Sequence, residues 1–338
     1  MKFLLSKTNF FKTMNFSKII SSTVFASSIS LFSTLVIGTE KVKAEACPDP
    51  STYTSMLGDE ATSWLNDPDL EGGCDGTPEV YGVTVYKMGL CEDNPFDGIS
   101  TLATTAGQSP TYTSCSWTYL NDSGEYKSFS STSTATLTAG TSSLPVAGTY
   151  PFAVIVLEPV FKIQDSYGPI KPLTTSTEAV TYVSSATSAT ALTTGSAATR
   201  SMDLTSFMGN PDDIPGTEDG EEVCNASDAV DPISGKGQIT GWLVDSDGKT
   251  IADNAAIATC TGVDKLIGVM DMRTSASGPG PVTVSSTTTG ITATFDVSDN
   301  GSGIYYKGLE GGCTISSSES CVTIDGGPFS VTFDVTDG

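Results

Sequence analysis

The segment Tyr150-Pro151-Phe152-Ala153-Val154-Ile155-Val156-Leu157-Glu158-Pro159-Val160-Phe161-Lys162-Ile163 constrains the fold more than any other part of the chain. It is a nearly continuous run of β-branched and aromatic residues, too short to cross a membrane as a helix. It is bracketed by turn residues and reads as a strand buried on both faces, at the centre of a sheet. Pro159 cannot donate to a ladder and marks a bulge or a bend inside that run.

The surrounding segments carry strand grammar. Val80–Leu90 alternates, with Tyr81, Val83 and Val85 on one face and Thr84, Tyr86 and Met88 on the other. Cys115, Trp117 and Tyr119 share a face of the next strand, and Asn121-Asp122-Ser123-Gly124 predicts a turn into a returning strand through Tyr126 and Phe129. The Ser/Thr-rich tract 128–143 leads through Pro145 and Gly148 into the central strand and is suited to edge pairing. Across 174–206, where Val180, Tyr182 and Leu192 are sparse apolar anchors, Thr and Val predict a half-buried pair of strands. Gln238–Asp245 reads as a strand carrying Trp242, Asp245-Ser246-Asp247-Gly248 as a turn, and Thr250–Ile251 as the start of the return. Thr294-Phe295-Asp296-Val297-Ser298-Asp299 is nearly repeated as Thr332-Phe333-Asp334-Val335-Thr336-Asp337, and Leu70-Glu71-Gly72-Gly73-Cys74 is echoed by Leu309-Glu310-Gly311-Gly312-Cys313.

One short N-terminal helix is expected over 51–66. Tyr53, Met56, Leu57, Ala61, Trp64 and Leu65 fall on a single stripe, Ser51 caps the start and Asn66-Asp67-Pro68 ends it. The stripe suits a lid on the sheet.

Lys2, Lys7, Lys12 and Lys18 precede an apolar stretch from Ile19 to Ile37, followed by small residues around Ala44-Glu45-Ala46. This is the pattern of a secretory signal peptide over 1–46. The expected location is therefore outside the cytoplasm, at the cell surface or in the periplasm. All eight cysteines follow that segment: Cys47, Cys74, Cys91, Cys115, Cys224, Cys260, Cys313 and Cys321. An even count in an exported chain predicts disulfides, with nearest neighbours favoured: Cys47–Cys74, Cys91–Cys115, Cys224–Cys260 and Cys313–Cys321.

These readings add up to an all-β, disulfide-stapled antiparallel β-sandwich of jelly-roll type over residues 47–338. Two smaller β domains, split in the acidic loop near 209–223, are the alternative arrangement.

The formal net charge of −23 opposes binding to nucleic acid or to an anionic membrane and favours cations. With no histidine in the sequence, Ser-His-Asp and Cys-His nucleophiles are excluded. Paired carboxylates remain open to a glycoside hydrolase, although the sequence selects no pair. No resident cofactor is expected. Calcium suits the oxygen donors of Asp245 and Asp247, of Asp212 and Asp213 in the acidic loop, and of Asp296 with Asp299. Trp117, Trp242 and the pair Tyr305-Tyr306 are candidates for stacking on sugars, with core packing the competing role of both tryptophans.

Val83-Thr84-Val85-Tyr86-Lys87 running into Leu90-Cys91, and Pro145-x-x-Gly148-Thr149-Tyr150 entering a long apolar strand, resemble segments of uncharacterised exported β proteins of marine bacteria. That resemblance implies no activity and assigns no functional residue. The first functional expectation is a non-enzymatic surface protein that associates with itself or with another surface protein through strand edges. Phe329, Val331, Phe333 and Val335 form its candidate assembly strand. A module binding glycan or calcium is the second expectation, and a two-carboxylate hydrolase the third.

Overall fold

A computed structural model describes residues 72–100, 107–130, 132–134, 136–170, 180–204, 207–209, 223–229, 237–251, 260–273, 279–298, 301–306, 322–327 and 329–338. The N-terminal segment 1–46, the helix expected at 51–66, the acidic loop with Asp212 and Asp213, and the residues Cys47, Asp299, Cys313 and Cys321 lie outside them.

The described residues are all β, with no helix. In chain order the first strands are β1 (Gly72–Gly76), β2 (Val80–Cys91), β3 (Cys115–Phe129), β4 (Thr132–Thr134), β5 (Thr141–Ser142), β6 (Gly148–Tyr150) and β7 (Phe152–Leu157). There follow β8 (Val160–Gln164), β9 (Ser166–Ile170), β10 (Val180–Val183), β11 (Arg200–Asp203), β12 (Phe207–Gly209), β13 (Val223–Asn225) and β14 (Ser227–Ala229). The last are β15 (Gln238–Val244), β16 (Lys265–Asp271), β17 (Val282–Val284), β18 (Thr288–Asp296), β19 (Ser302–Tyr306), β20 (Val322–Gly326) and β21 (Ser330–Asp337).

All pairings are antiparallel. The largest sheet has nine strands in the order β11-β8-β2-β7-β16-β15-β14, with β3 against β2 and β5 against β3. β2 is the spine of this sheet: β3 runs along one of its edges, while β7 and then β8 run along the other. The apolar run is therefore central, as expected, and it bends where Pro159 predicts. Between the pairs Val85↔Leu157 and Gly82↔Lys162, three steps along β2 face five along the run, and the Glu158 amide still donates to the Thr84 carbonyl at 3.0 Å. Strands from both sides of residues 209–223 share the sheet, because β16 pairs with β7.

The alternation of β7 buries both of its faces. Ile155 and Leu157 join Tyr81, Val83, Val85, Met88, Phe161 and Ile163 in one core, which also takes in Phe295 of β18 and Val331 of β21. Rings bind this layer together, with Phe129 5.7 Å from Tyr81 and 5.2 Å from Phe295. On the opposite face Phe152 and Val154 pack with Cys91, Trp242, Ile267 and Val269 beneath Phe96, whose ring stacks 4.5 Å from Trp242. Trp242 is thus a core residue. The near-repeated segments pair with each other: β18 and β21 run antiparallel with Thr294 opposite Thr332, the residues that also correspond in the repeat.

Three expectations need correction. Asn121–Gly124 does not reverse the chain. β3 continues along β2, and residues 121–124 bulge out between Leu120, opposite Lys87, and Glu125, opposite Val85. The turn chemistry is real, since the Ser123 amide bonds the Asn121 side chain at 3.1 Å and Gly124 has φ +73°. Such residues fix local dihedrals, but they do not decide whether the ladder resumes on the same partner.

The predicted faces of β2 and β3 also change at bulges. Tyr86 interrupts the register of β2, so Met88 returns to the face of Tyr81, Val83 and Val85. Thr118 interrupts β3, which sends Tyr119 into that core while Cys115 and Trp117 pack on the other face. One extra residue inverts everything beyond it, because side chains alternate with period two.

Between 174 and 206, finally, Leu192 is exposed and its neighbour Ala191 is buried. The two strands of that segment do not pair with each other: β10 pairs with β9 and β11 with β8.

Candidate functional site

The site is built on two glycines of β2. Along its second face β2 presents Gly82, Thr84, Tyr86, Lys87, Gly89 and Cys91, and β3 supplies the rings that cover the glycines. The indole of Trp117, which is paired with Gly89, lies against it: a Cβ on Gly89 would come within 2.9 Å of the Trp117 ring. Tyr126, opposite Thr84, reaches diagonally across Gly82, where a Cβ would come 2.9 Å from its ring carbons. Each ring thereby reaches over a glycine, in the space that a side chain there would fill. Glycine in a strand interior is costly unless something approaches the backbone closely, and here an aromatic does.

The half of this face near Cys91 is roofed by Phe96, Ile99 and Tyr112. Trp117, half-buried with the Tyr112 ring 5.5 Å away, stands at the border of this roof, and beyond it the face is partly open: Lys87, Val156, Tyr86, Glu158, Lys265 and Lys162 are half-buried and Tyr126 is 52% exposed. The bulge at Tyr86 puts two consecutive long side chains, Tyr86 and Lys87, on this face. Tyr86 donates to Glu158 Oε2 at 2.5 Å, and the Lys265 ammonium stands 4.4 Å over its ring while pairing with Asp264 at 2.8 Å. The hydrogen bond to Glu158, with burial and the Glu158 and Asp264 charges, pushes the Tyr86 hydroxyl up to about 12, so it stays a donor at neutral pH. Lys87 Nζ lies 6.0 Å from the Trp117 centroid, a cation–π contact. Lys162, opposite Gly82 on β8, donates to Ser201 Oγ.

Two buried carboxyls frame this face without taking part in it. Glu125 accepts hydrogen bonds from Tyr119 Oη (2.6 Å) and from the amides of Thr138 and Ala139, and pairs with Lys127 at 2.7 Å. Burial alone would raise its pKa, but these donors together hold it down at about 2. The contacts tie the chain at 138–139 to the core side of β3, next to Leu137, which packs on the same core. Asp165, between β8 and β9, accepts from Ser302 Oγ at 2.5 Å and from the Ser166 amide at 2.8 Å. Burial raises its carboxyl to about 6 against the lowering effect of Ser302, with the nearby Glu79 adding to the rise.

The residues singled out in the sequence are dispersed. Cys91 and Cys115 are bonded, directly opposite each other on β2 and β3, as nearest-neighbour pairing expects. Cys260 is also in a disulfide. Cys74 and Cys224 lie on β1 and β13. Asp245 forms the expected turn: its Oδ1 accepts from the amides of Asp247 (2.9 Å) and Lys249 (3.0 Å), and Gly248 has φ +75°. Asp296 Oδ1 accepts from the Ser298 amide at 2.9 Å. Among the described residues no three acidic, cysteine or histidine side chains gather as a metal site. Tyr305 and Tyr306 lie on β19, the middle strand of its sheet.

Phe329 and Phe333 pack against the core that contains Val331, and Phe333 and Val335 against a second cluster around Tyr150 and Met270. Beside them an apolar cavity of about 90 Å³ opens between β21 and the main sheet, lined in part by Gly241 and Gly268.

Of the aromatic face, sequence reading found Trp117 alone. Gly82 and Gly89, interrupting an otherwise β-branched strand, were the available signal for the rest.

Compared with family models, curated proteins and solved structures, the chain matches none.

Proposed function

We propose that this chain is an exported, non-enzymatic protein of β-sandwich architecture that binds carbohydrate along the open half of its large sheet. The sandwich reading is supported by the core that Phe295 and Val331 share with Tyr81 and Leu157 of the main sheet. Export is supported by the Cys91–Cys115 disulfide, a bond that persists in oxidising compartments. The observation that carries the binding reading is the pair of rings, Trp117 and Tyr126, reaching over Gly89 and Gly82 of one strand. A ring held against a rigid sheet offers its outer face to the apolar face of a sugar at little entropic cost, and the hydroxyls of Ser201 and Thr84 lie alongside for polar contacts.

The test is retention of the oxidised protein on gels containing soluble polysaccharides. Trp117→Ala and Tyr126→Ala each weaken retention severalfold while leaving the circular dichroism spectrum unchanged. Unaltered retention in both variants removes the reading.

A second reading, a surface subunit that associates through strand edges, draws on the position of β21 at the margin of the three-stranded sheet β21-β18-β4. Light scattering after size exclusion, followed by negative-stain microscopy, separates the two. Polymers favour assembly, and a monomer that binds glycan favours the first reading.

A further inference from the structure

Each of the two rings has a lysine beside it that pairs with no carboxylate among the described residues. The sequence holds 39 Asp and Glu against 16 Lys and Arg, so a cation is rarely far from an acid. Lys127, Arg200, Lys265 and Arg273 are each paired, with Glu125, Asp325, Asp264 and Asp271. Lys87, Lys162 and Lys249 are not: within the described residues Lys249 is exposed in the turn after Asp245, away from this face, whereas Lys87 meets the Trp117 ring and Lys162 meets the Ser201 hydroxyl. Lys87 is two residues from Gly89, which seats Trp117, and Lys162 is directly opposite Gly82, which seats Tyr126. The same unit of glycine seat, ring and unpaired ammonium thus occurs twice on one face. From strand rise the two units are about 20 Å apart along β2, further than a single sugar reaches.

We infer that the ligand of this face is an extended anionic glycan lying along β2, whose charged groups are taken up by Lys87 beside Trp117 and by Lys162 beside Tyr126. The inference rests on the carbohydrate reading above and specifies its substrate class. Two unpaired ammonium groups on the surface of a strongly acidic protein complement a polymer that its remaining surface repels. The rings fix where the sugars lie, and the lysines select chains that carry a charge at matching intervals. Uronate carboxylate and sulfate ester share this chemistry and differ in geometry. A lysine is a point charge that accepts either, whereas a guanidinium fork would favour planar carboxylate.

The experiment measures binding of the full disulfide-bonded chain, by biolayer interferometry at fixed ionic strength, to three immobilised probes. These are a polyuronate, the same polymer after carboxyl reduction, and a sulfated polysaccharide. The expected result is binding to one or both charged probes about tenfold tighter than to the reduced chain. Lys87→Gln and Lys162→Gln each remove several-fold of that preference without weakening binding to the reduced chain, and preference between carboxylate and sulfate identifies the source of the charge. Trp117→Phe, which keeps a ring, retains binding, and Trp117→Ala weakens it severalfold on all three probes. Equal affinity for charged and carboxyl-reduced polymer overturns this inference and leaves the carbohydrate reading standing. Charged-probe binding that salt abolishes and ring substitutions do not touch overturns both, since it would be unspecific ion exchange.

Discussion

Trp117 rests on Gly89: a Cβ at that position would sit 2.9 Å from the indole Cε3 and 3.0 Å from the Ser116 carbonyl oxygen. The second contact matters more than the first, because a backbone carbonyl in a ladder cannot swing aside. Gly89→Ala is therefore expected to destabilise the fold by about 1–3 kcal/mol through overpacking. At Gly82 the obstructing atoms belong to the far end of Tyr126, an exposed side chain. Gly82→Ala should leave stability within about 0.5 kcal/mol of wild type and still displace the ring, weakening glycan retention. Thermal melts beside the gel assay check this. Equal destabilisation by the two substitutions would show that the Tyr126 seat serves stability alone.

The Cys91–Cys115 bond closes a loop with a sequence separation of 24 residues between directly opposed strand ends. Restricting the unfolded chain by that loop contributes about 3 kcal/mol. The double variant Cys91→Ser, Cys115→Ser should lower the urea midpoint accordingly and make it indifferent to reductant at this site. An unchanged midpoint would mean that the strand pairing of β2 and β3 alone holds these ends.

Asp165 and Glu125 give opposite pH dependences. Asp165 keeps its proton up to about pH 6 in the folded chain, against an ordinary carboxyl value of 3.8. The folded state therefore binds more protons than the unfolded state between these values, and the contribution of Asp165 to stability falls as pH rises through that window. Glu125 is held at about 2 against 4.5, so its contribution is present above 4.5 and lost as pH falls towards 2. Asp165→Asn should flatten the stability profile between pH 4 and 6, and Glu125→Gln should flatten it at the acid end. Urea titrations across pH read both, and an unaltered slope in either variant contradicts its assignment.

β21 contributes apolar side chains to the core of its own chain, with Val331 6% exposed and Phe329 5.9 Å from Tyr81. Deleting residues 329–338 is expected to prevent cooperative folding, because it removes Phe329, Val331 and Phe333 from the layer facing the main sheet. Near-ultraviolet circular dichroism of the truncated chain measures this. A truncated chain that still melts cooperatively would support the view that the strand is free to pair with a neighbour.

Much of the secondary structure was legible because it is local. The strand at Val80–Leu90, the apolar run ending at Ile163, the strand before Asp245 and the turn closed by Gly248 each depend on residues within a few positions of one another, and all are present. The Cys91–Cys115 pairing was legible for a related reason, since neighbouring strand ends leave nearest-neighbour cysteines within reach. The aromatic face was not legible. Trp117 was visible as a residue, but its partner Gly89, the matching pair of Gly82 with Tyr126 and the lysines beside them meet only once β2, β3 and β8 are in register.

The sequence by itself determined that the described chain forms strands, where several of the longest run, and which one is buried on both faces, because apolar period and turn propensity are set residue by residue; it gave no sign of β16, a central strand of the main sheet. The tertiary structure alone decided which edge pairs with which. It also decided where the ladder slips, at Tyr86, Thr118 and Asn121–Gly124, and hence which face each side chain joins. The reason is that a strand's side-chain period is two while its hydrogen bonds belong to its neighbours. A single extra residue opposite a distant partner costs little locally and inverts every side chain that follows.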